Sequence, residues 1–286
     1  MAELWKGAAV NAVLNERLRS EVETLRSCGV TPQLAIVRMG ERPDDIAYER
    51  GAIKRCESIG VKVCCHTLPA DVDEAALLAV IDRVNRDVEI HGCLLLRPLP
   101  PQIDDTRVRN ALLPEKDVDG ITDQSLAGVF TGGGVGFPPC TAEACLTILD
   151  HFGYALQGRR AVVIGRSLVV GKPVAMLLLA RHATVTVCHT RTQDMPAITR
   201  EADLLIVAAG KPRIINAPYF GQGQVVIDVG IHVDETGALC GDVDFAAAEP
   251  LVKAITPVPG GVGTVTTSVL VQHVIEAARR QQPSGK

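Results

Sequence analysis

The segment AVVIGRSLVVGKPVAMLLLAR, residues 161–181, reads as a strand, a turn bounded by Gly165 and Gly171, and a helix beginning near Pro173. A helix N-terminus that follows a strand offers free backbone N–H groups and the positive end of a helix dipole, which suits a pyrophosphate. The Gly-Lys pair at 171 and 172 suggests a triphosphate-binding loop. The spacing from Gly165 is one residue too long for that, and Pro173 stands where a hydroxyl must hold magnesium. The segment does not match G-x-G-x-x-G either, so a dinucleotide site and an ordinary strand-to-helix turn both stay open on this segment alone.

The next strand bears on the choice. It ends in Cys188-His189-Thr190-Arg191, where a site for NAD would carry an acid for the ribose 2′-hydroxyl, and no acid is there. Thr190 can donate a hydrogen bond, and Arg191 or Arg166 can face a 2′-phosphate, which favours NADP over NAD. The plainer alternative is that these are solvated loop residues.

The elements that must position such a site alternate along the chain. Apolar runs without period-two alternation lie at residues 33–38, 61–67 and 92–96, then at 160–164, 184–188, 203–208 and 224–229. Such runs are expected of parallel strands covered on both faces. Helical patterns separate them. One opens on Pro43, Asp44 and Asp45 and closes on Gly60; others cover residues 74–84 and 268–279. The pattern predicts an α/β protein whose second domain is a Rossmann-like, doubly wound parallel sheet. The Gly- and Pro-rich stretch 132–139 is the natural linker, giving a first domain over 1–138, rejoined by a C-terminal helix over 267–286, and a second over 139–266.

The 286 residues are 47% hydrophobic and 22% charged, as in a globular protein, with a formal net charge of −4. No Lys/Arg cluster stands out to neutralise a run of phosphates, so nucleic acid is not an expected partner. No window approaches the length of a membrane span. The residues before 25 carry charges at helical spacing and lack a signal peptide's apolar run. Nine scattered cysteines form no zinc-type spacing and read as reduced thiols, mostly buried, in a cytoplasmic protein. No metal is expected; His189 beside Cys188 is the nearest pair, and neighbours at a strand end diverge.

Seven blocks at consistent spacing are more specific: KDVDG (116–120), PCT (139–141), VVIGRS-x-x-VGKP (162–173), ATVTVCH (183–189), VVIDVGI (225–231), GDVDF (241–245) and ITPVPGGVG (255–263). Together they resemble the bacterial methylenetetrahydrofolate dehydrogenase/cyclohydrolase family over nearly the whole chain. The resemblance implies two domains with a cleft between them, a homodimer, NADP as cofactor and a tetrahydrofolate derivative as substrate. It implies that Gly165, Arg166 and Ser167 hold the cofactor, with Thr190 near the 2′-phosphate and Thr141 and Ile231 near the nicotinamide. It also implies that Asp119 bonds the pterin and Tyr48 packs on the folate. The loop Pro259, Gly260, Gly261, Val262 and Gly263 would close over the substrate. A carboxylate suits the paired N–H donors of an aminopyrimidinone.

Two positions depart from the family. Its bifunctional members read Tyr-x-x-x-Lys on the first-domain helix, and here the residue four after Tyr48 is Ala52. Lys54 lies about 200° around the helix from position 52 and reads as a surface charge. The family's glutamine partner of that lysine, in V-Q-L-P-L-P, is replaced by Leu96. Hydride transfer needs alignment and no side-chain base, whereas hydrolysis of the methenyl bridge needs proton movements. The expectation is therefore a dehydrogenase with weak or absent cyclohydrolase activity, the hydrolysis falling to a separate enzyme. The alternatives are the full bifunctional enzyme and a non-catalytic binding subunit.

Overall fold

The apolar runs become strands, and a computed structural model, which describes residues 1–282, places them in two parallel sheets. Those at 34–37, 92–95, 161–164, 204–207 and 225–228 are covered on both faces as expected, whereas those at 62–68 and 184–188 lie at sheet edges and keep exposed residues. Two units form. One comprises residues 13–140 with the segment from Thr267 onward, and the other residues 1–12 with 141–266.

The chain begins with a short strand, β1 (Glu3–Leu4), and a long helix, α1 (Gly7–Ser27). Then β2 (Gln33–Met39), α2 (Pro43–Ile59), β3 (Lys62–Leu68), α3 (Glu74–Arg86) and β4 (Gly92–Leu95) alternate, followed by α4 (Asp105–Ala111) and α5 (Asp123–Thr131). The three strands form a parallel sheet of order β3-β2-β4. The α2 helix carries its acids in the first turn and ends at Gly60 in the left-handed conformation, φ 99°, whose N–H closes on Cys56 O. Asp73 caps α3 by accepting from Ala76 N at 2.7 Å. Leu77, Val80, Ile81 and Val84 then fall on one face of α3 and pack with Ala35, Val37, Cys93 and Leu95 of the sheet. Burying each of those four side chains contributes roughly 1.5–3 kcal/mol, so a charge at position 81 would undo much of this layer.

The other unit contains α6 (Cys140–His151), β5 (Arg160–Ile164), α7 (Gly171–Ala180), β6 (Thr184–Cys188), α8 (Met195–Arg200) and β7 (Leu204–Val207). After a 3₁₀ turn at Ala217–Tyr219 come β8 (Val225–Asp228), the hairpin β9 (His232–Val233) and β10 (Leu239–Cys240), α9 (Phe245–Ala248), β11 (Ala254–Ile255) and α10 (Val262–Arg280). Its six-stranded sheet has the order β1-β11-β8-β7-β5-β6, with every neighbouring pair parallel. The order reverses about β5, so β5 and β7 flank a topological switch point, and ligands of such sheets bind at the carboxyl ends of those strands.

Three local features differ from the sequence expectation. Residues 3 and 4 pair with Ala254 and Ile255 as a strand, where the charge spacing read as helix, because two residues are too few to carry a period. The α7 helix starts at Gly171, before Pro173. The α10 helix starts at Val262, six residues ahead of the expected Ser268, because Gly263 and the threonines that follow it blur the apolar period of its first turns. Positions 283–286 of the expected C-terminal helix lie outside the described residues. Among the described residues no helix is long and apolar enough to cross a membrane.

Candidate active site

The register of the six-stranded sheet brings the nucleotide-type residues to one edge. Ile164 lies beside both Cys188 and Val207, and Val207 beside Asp228. The residues that follow, Gly165–Ser167, His189–Arg191, Ala208–Lys211 and Val229–Ile231, therefore share the carboxyl edge at the switch point. Gly165 has φ 120°, and a Cβ there would stand 2.2 Å from Ala208 O; a Cβ on Gly171 would stand 2.2 Å from Gly165 O. Only glycine permits this tight return of the backbone on itself. The Ser167 hydroxyl accepts from Val170 N at 3.1 Å and so braces the turn. Arg166, Ser167, Thr190 and Arg191 are all exposed, and the 189–192 turn is closed by His189 N donating to Thr192 Oγ1 at 2.9 Å.

Two buried carboxylates, to which the sequence assigned no role, tie these loops together. Asp242 accepts from Ala209 N, Gly210 N and Lys211 N at 2.6–3.0 Å, and its Oδ1 lies 2.7 Å from His232 Nε2. Asp228 accepts from Gly230 N, Asp242 N and Val243 N at 3.0–3.1 Å. Burial pushes the Asp228 carboxyl up to about 6, against the pull of those N–H groups. Ile231, between these anchored residues, is exposed, and its Cδ1 would be 2.8 Å from a Cβ on Gly263. Thus Ile231 and the end of the 259–263 loop meet within this unit. Thr141 lies in the same unit, in the first turn of α6.

Tyr48 and Asp119 meet in the other unit. Tyr48 lies on α2, and burial, then the charge of Asp119 beside it, raises its phenol well above the usual value. Asp119 keeps some open surface, yet burial and the nearby Asp117 carboxylate push its carboxyl up to about 7, opposed by a hydrogen bond from Cys140 and the charge of Arg97. Asp117 is held apart from it by accepting from Ile121 N, Thr122 N and Ser125 Oγ at 2.6–3.0 Å. Gly120 takes φ 67°, and a Cβ there would strike Pro139 N at 2.5 Å, so the segment after Asp119 lies directly against the 137–139 backbone.

The departing positions are apolar in place as in sequence. Ala52, one turn along α2 from Tyr48, is fully buried, and Leu96 is buried just beyond β4. Lys54 is exposed, as its angular offset implies. Arg97 does not replace the missing lysine freely, because its guanidinium forms a two-pronged ion pair with Asp105. Sequence reasoning missed Asp228, Asp242, His232 and His273. The first two stand inside blocks already quoted, but only the fold shows what their oxygens hold.

Comparison with known proteins agrees with this architecture. Residues 5–119 match the tetrahydrofolate dehydrogenase/cyclohydrolase catalytic domain, and residues 139–282 match the NAD(P)-binding domain of the same family. The chain is 47% identical to the bifunctional protein FolD of Carboxydothermus hydrogenoformans, covering 97% of both chains. It is 44% identical to that of Alkaliphilus oremlandii, covering 98% of this chain and 99% of the relative. The crystal structure of the bifunctional FolD dehydrogenase/cyclohydrolase of Campylobacter jejuni superposes with a TM-score of 0.95 at 36% identity, covering 98% of this chain and 99% of that one. A Trypanosoma brucei dehydrogenase-cyclohydrolase, solved with NADP and an inhibitor, gives 0.91 at 35% identity, covering 98% of each. These relatives are named for both activities, which favours the bifunctional alternative over the expectation of a dehydrogenase alone. The chain belongs to the tetrahydrofolate dehydrogenase/cyclohydrolase family.

Proposed function

We propose that the chain is an NADP-dependent 5,10-methylenetetrahydrofolate dehydrogenase that forms 5,10-methenyltetrahydrofolate. The observation that carries this reading is the intact turn at the switch point, a cradle that a Cβ on Gly165 or Gly171 would fill, in a member of this family. That cradle fits a pyrophosphate. When bound, the dinucleotide supplies the acceptor for the hydride of the substrate's methylene carbon.

The chain's own residues then bind and align. Backbone N–H groups at the start of α7 face the pyrophosphate. Thr190 and the exposed Arg166 and Arg191 suit a 2′-phosphate, and residues 188–191 include no acid to repel it. Thr141 and Ile231 flank the nicotinamide. Asp119, as a carboxylate, accepts the paired N–H groups of the pterin, Tyr48 packs against the folate, and Pro259, Gly260, Gly261, Val262 and Gly263 cover it. No side-chain base is required, because the lone pair of the folate nitrogen forms the new C=N bond as the hydride departs. The test is the rate of NADPH formation from methylenetetrahydrofolate, measured beside NAD. Retained binding with no turnover would favour a binding subunit, and faster turnover with NAD would reverse the cofactor assignment. The chain is further proposed to act as a cytoplasmic homodimer, which sedimentation equilibrium checks.

For the second reaction, two observations point in opposite directions. Relatives at 44–47% identity are named bifunctional, and that supports retained cyclohydrolase activity. Ala52 and Leu96, both buried and apolar, supply neither group that the bifunctional members use, and that supports a dehydrogenase served by a separate cyclohydrolase. Purified protein given methenyltetrahydrofolate without dinucleotide separates them. Hydrolysis at a rate comparable to dehydrogenase turnover establishes the bifunctional reading.

A further inference from the structure

His273 lies on α10, 155 positions from Val118, and its Nδ1 is 2.9 Å from the Val118 carbonyl oxygen. A carbonyl oxygen only accepts, so Nδ1 carries the proton. Burial holds this imidazole down at about 4, so it is neutral at any working pH and the tautomer is fixed. The ring is held on a second side by Phe137, with centroids 5.0 Å apart, and Phe137 in turn carries the Arg280 guanidinium 4.5 Å over its face. The Cys140 thiol reaches the same Val118 oxygen at 3.1 Å and lies 3.6 Å from His273 Nδ1.

The Val118 carbonyl belongs to the peptide bond that leads into Asp119. Turning that peptide would swing the Asp119 side chain away and would take the acceptor from the buried His273 Nδ1–H. The next residue, Gly120, is pinned against the 137–139 backbone, as described above. The chain is thus fixed on both sides of Asp119, by α10 before it and by the 137–139 segment after it.

We infer that His273, with Cys140, is a positioning residue for substrate recognition: by clamping the Val118 carbonyl it fixes the peptide from which Asp119 projects, and so sets how tightly the pterin is held. This inference rests on the pterin-binding role of Asp119 proposed above. Misplacing one charged acceptor weakens folate binding in ground and transition state alike, so KM for methylenetetrahydrofolate rises while kcat and KM for NADP change little.

The experiment is steady-state kinetics on His273→Leu, His273→Asn, His273→Gln and Asp119→Asn. His273→Leu raises folate KM about tenfold, the worth of one buried hydrogen bond, with KM for NADP within about twofold. An asparagine amide can present its N–H where Nδ1 stood and a glutamine amide only where Nε2 stood. His273→Asn therefore returns folate KM to within about threefold of the parent, and His273→Gln does not. If the leucine variant does not fold, the asparagine and glutamine variants carry the contrast. Equal folate KM in those two, or a parallel rise in KM for both substrates, overturns the inference. If Asp119→Asn leaves folate KM unchanged, the reading of Asp119 itself fails; if Asp119→Asn weakens folate binding and the His273 series does not, only the positioning role fails.

Discussion

Lowering the pH from 8 to 6 is expected to raise KM for methylenetetrahydrofolate about tenfold, through Asp119 alone. Burial and Asp117 lift this carboxyl from 3.8 to about 7, and the pterin is recognised by the ionised form. With a pKa of about 7 the ionised fraction is about 0.9 at pH 8 and about 0.1 at pH 6, and their ratio sets the change in KM. Tyr48, raised above its usual range, and His273, held at about 4, do not titrate in this window. Asp228, at about 6, does, but it holds the nucleotide loops and acts on KM for NADP. The assay is NADPH absorbance across the pH range, with each substrate varied in turn, for the parent and Asp119→Asn. The variant should show a raised folate KM and no slope. A flat folate KM in the parent, or an unchanged slope in the variant, refutes the reasoning. Stability in the absence of substrate runs as follows: because the folded pKa exceeds the unfolded one, the contribution of Asp119 is greatest below about 3.8 and is lost as pH rises through about 7.

Asp242→Ala removes the acceptor of three backbone N–H groups, and a loss of about 3 kcal/mol or more in urea denaturation is expected; a change below about 1 kcal/mol would show that the loops do not depend on it. Gly171→Ala places a methyl 2.2 Å from Gly165 O, so KM for NADP should rise more than about tenfold while folate KM is spared, measured by the same assay. Ala52→Lys combined with Leu96→Gln restores the family pair and should raise dinucleotide-free hydrolysis of methenyltetrahydrofolate about 10²-fold; a correctly folded double variant with no gain would mean that hydrolysis, if present, does not run through these positions.

Three of the strands that carry the site, β5, β7 and β8, were legible because both of their faces are covered. β5 and β6 were located to the residue, and β2 and β4 to within one, since a run such as Ala161–Ile164 is apolar at every position. The α2 helix was legible from its punctuation, Pro43 and acids at one end and Gly60 at the other. What escaped were contacts made at a distance. β1 and β11 have two residues each and no period to read. His273 looks like any polar position on a helix until α10 lies against Val118. The triple acceptance by Asp242 depends on β7 and β8 being neighbours, and nothing in GDVDF announces it. The absence of the hydrolytic pair was legible from Ala52 and Leu96 by type, and the structure added that Arg97, beside Leu96 in the chain, is engaged by Asp105.

Residues 3 and 4 complete the edge of their sheet by pairing with residues 254 and 255, while the other unit takes its last helix from the segment after 267. During synthesis, therefore, neither core can close until almost the whole chain has left the ribosome. The β1 strand must wait for its partner β11, made some 250 positions later, a closure whose entropy is set against only two residues of pairing. Such a chain is committed to finishing both units nearly together, and a truncation before residue 254 would leave each of them unsealed.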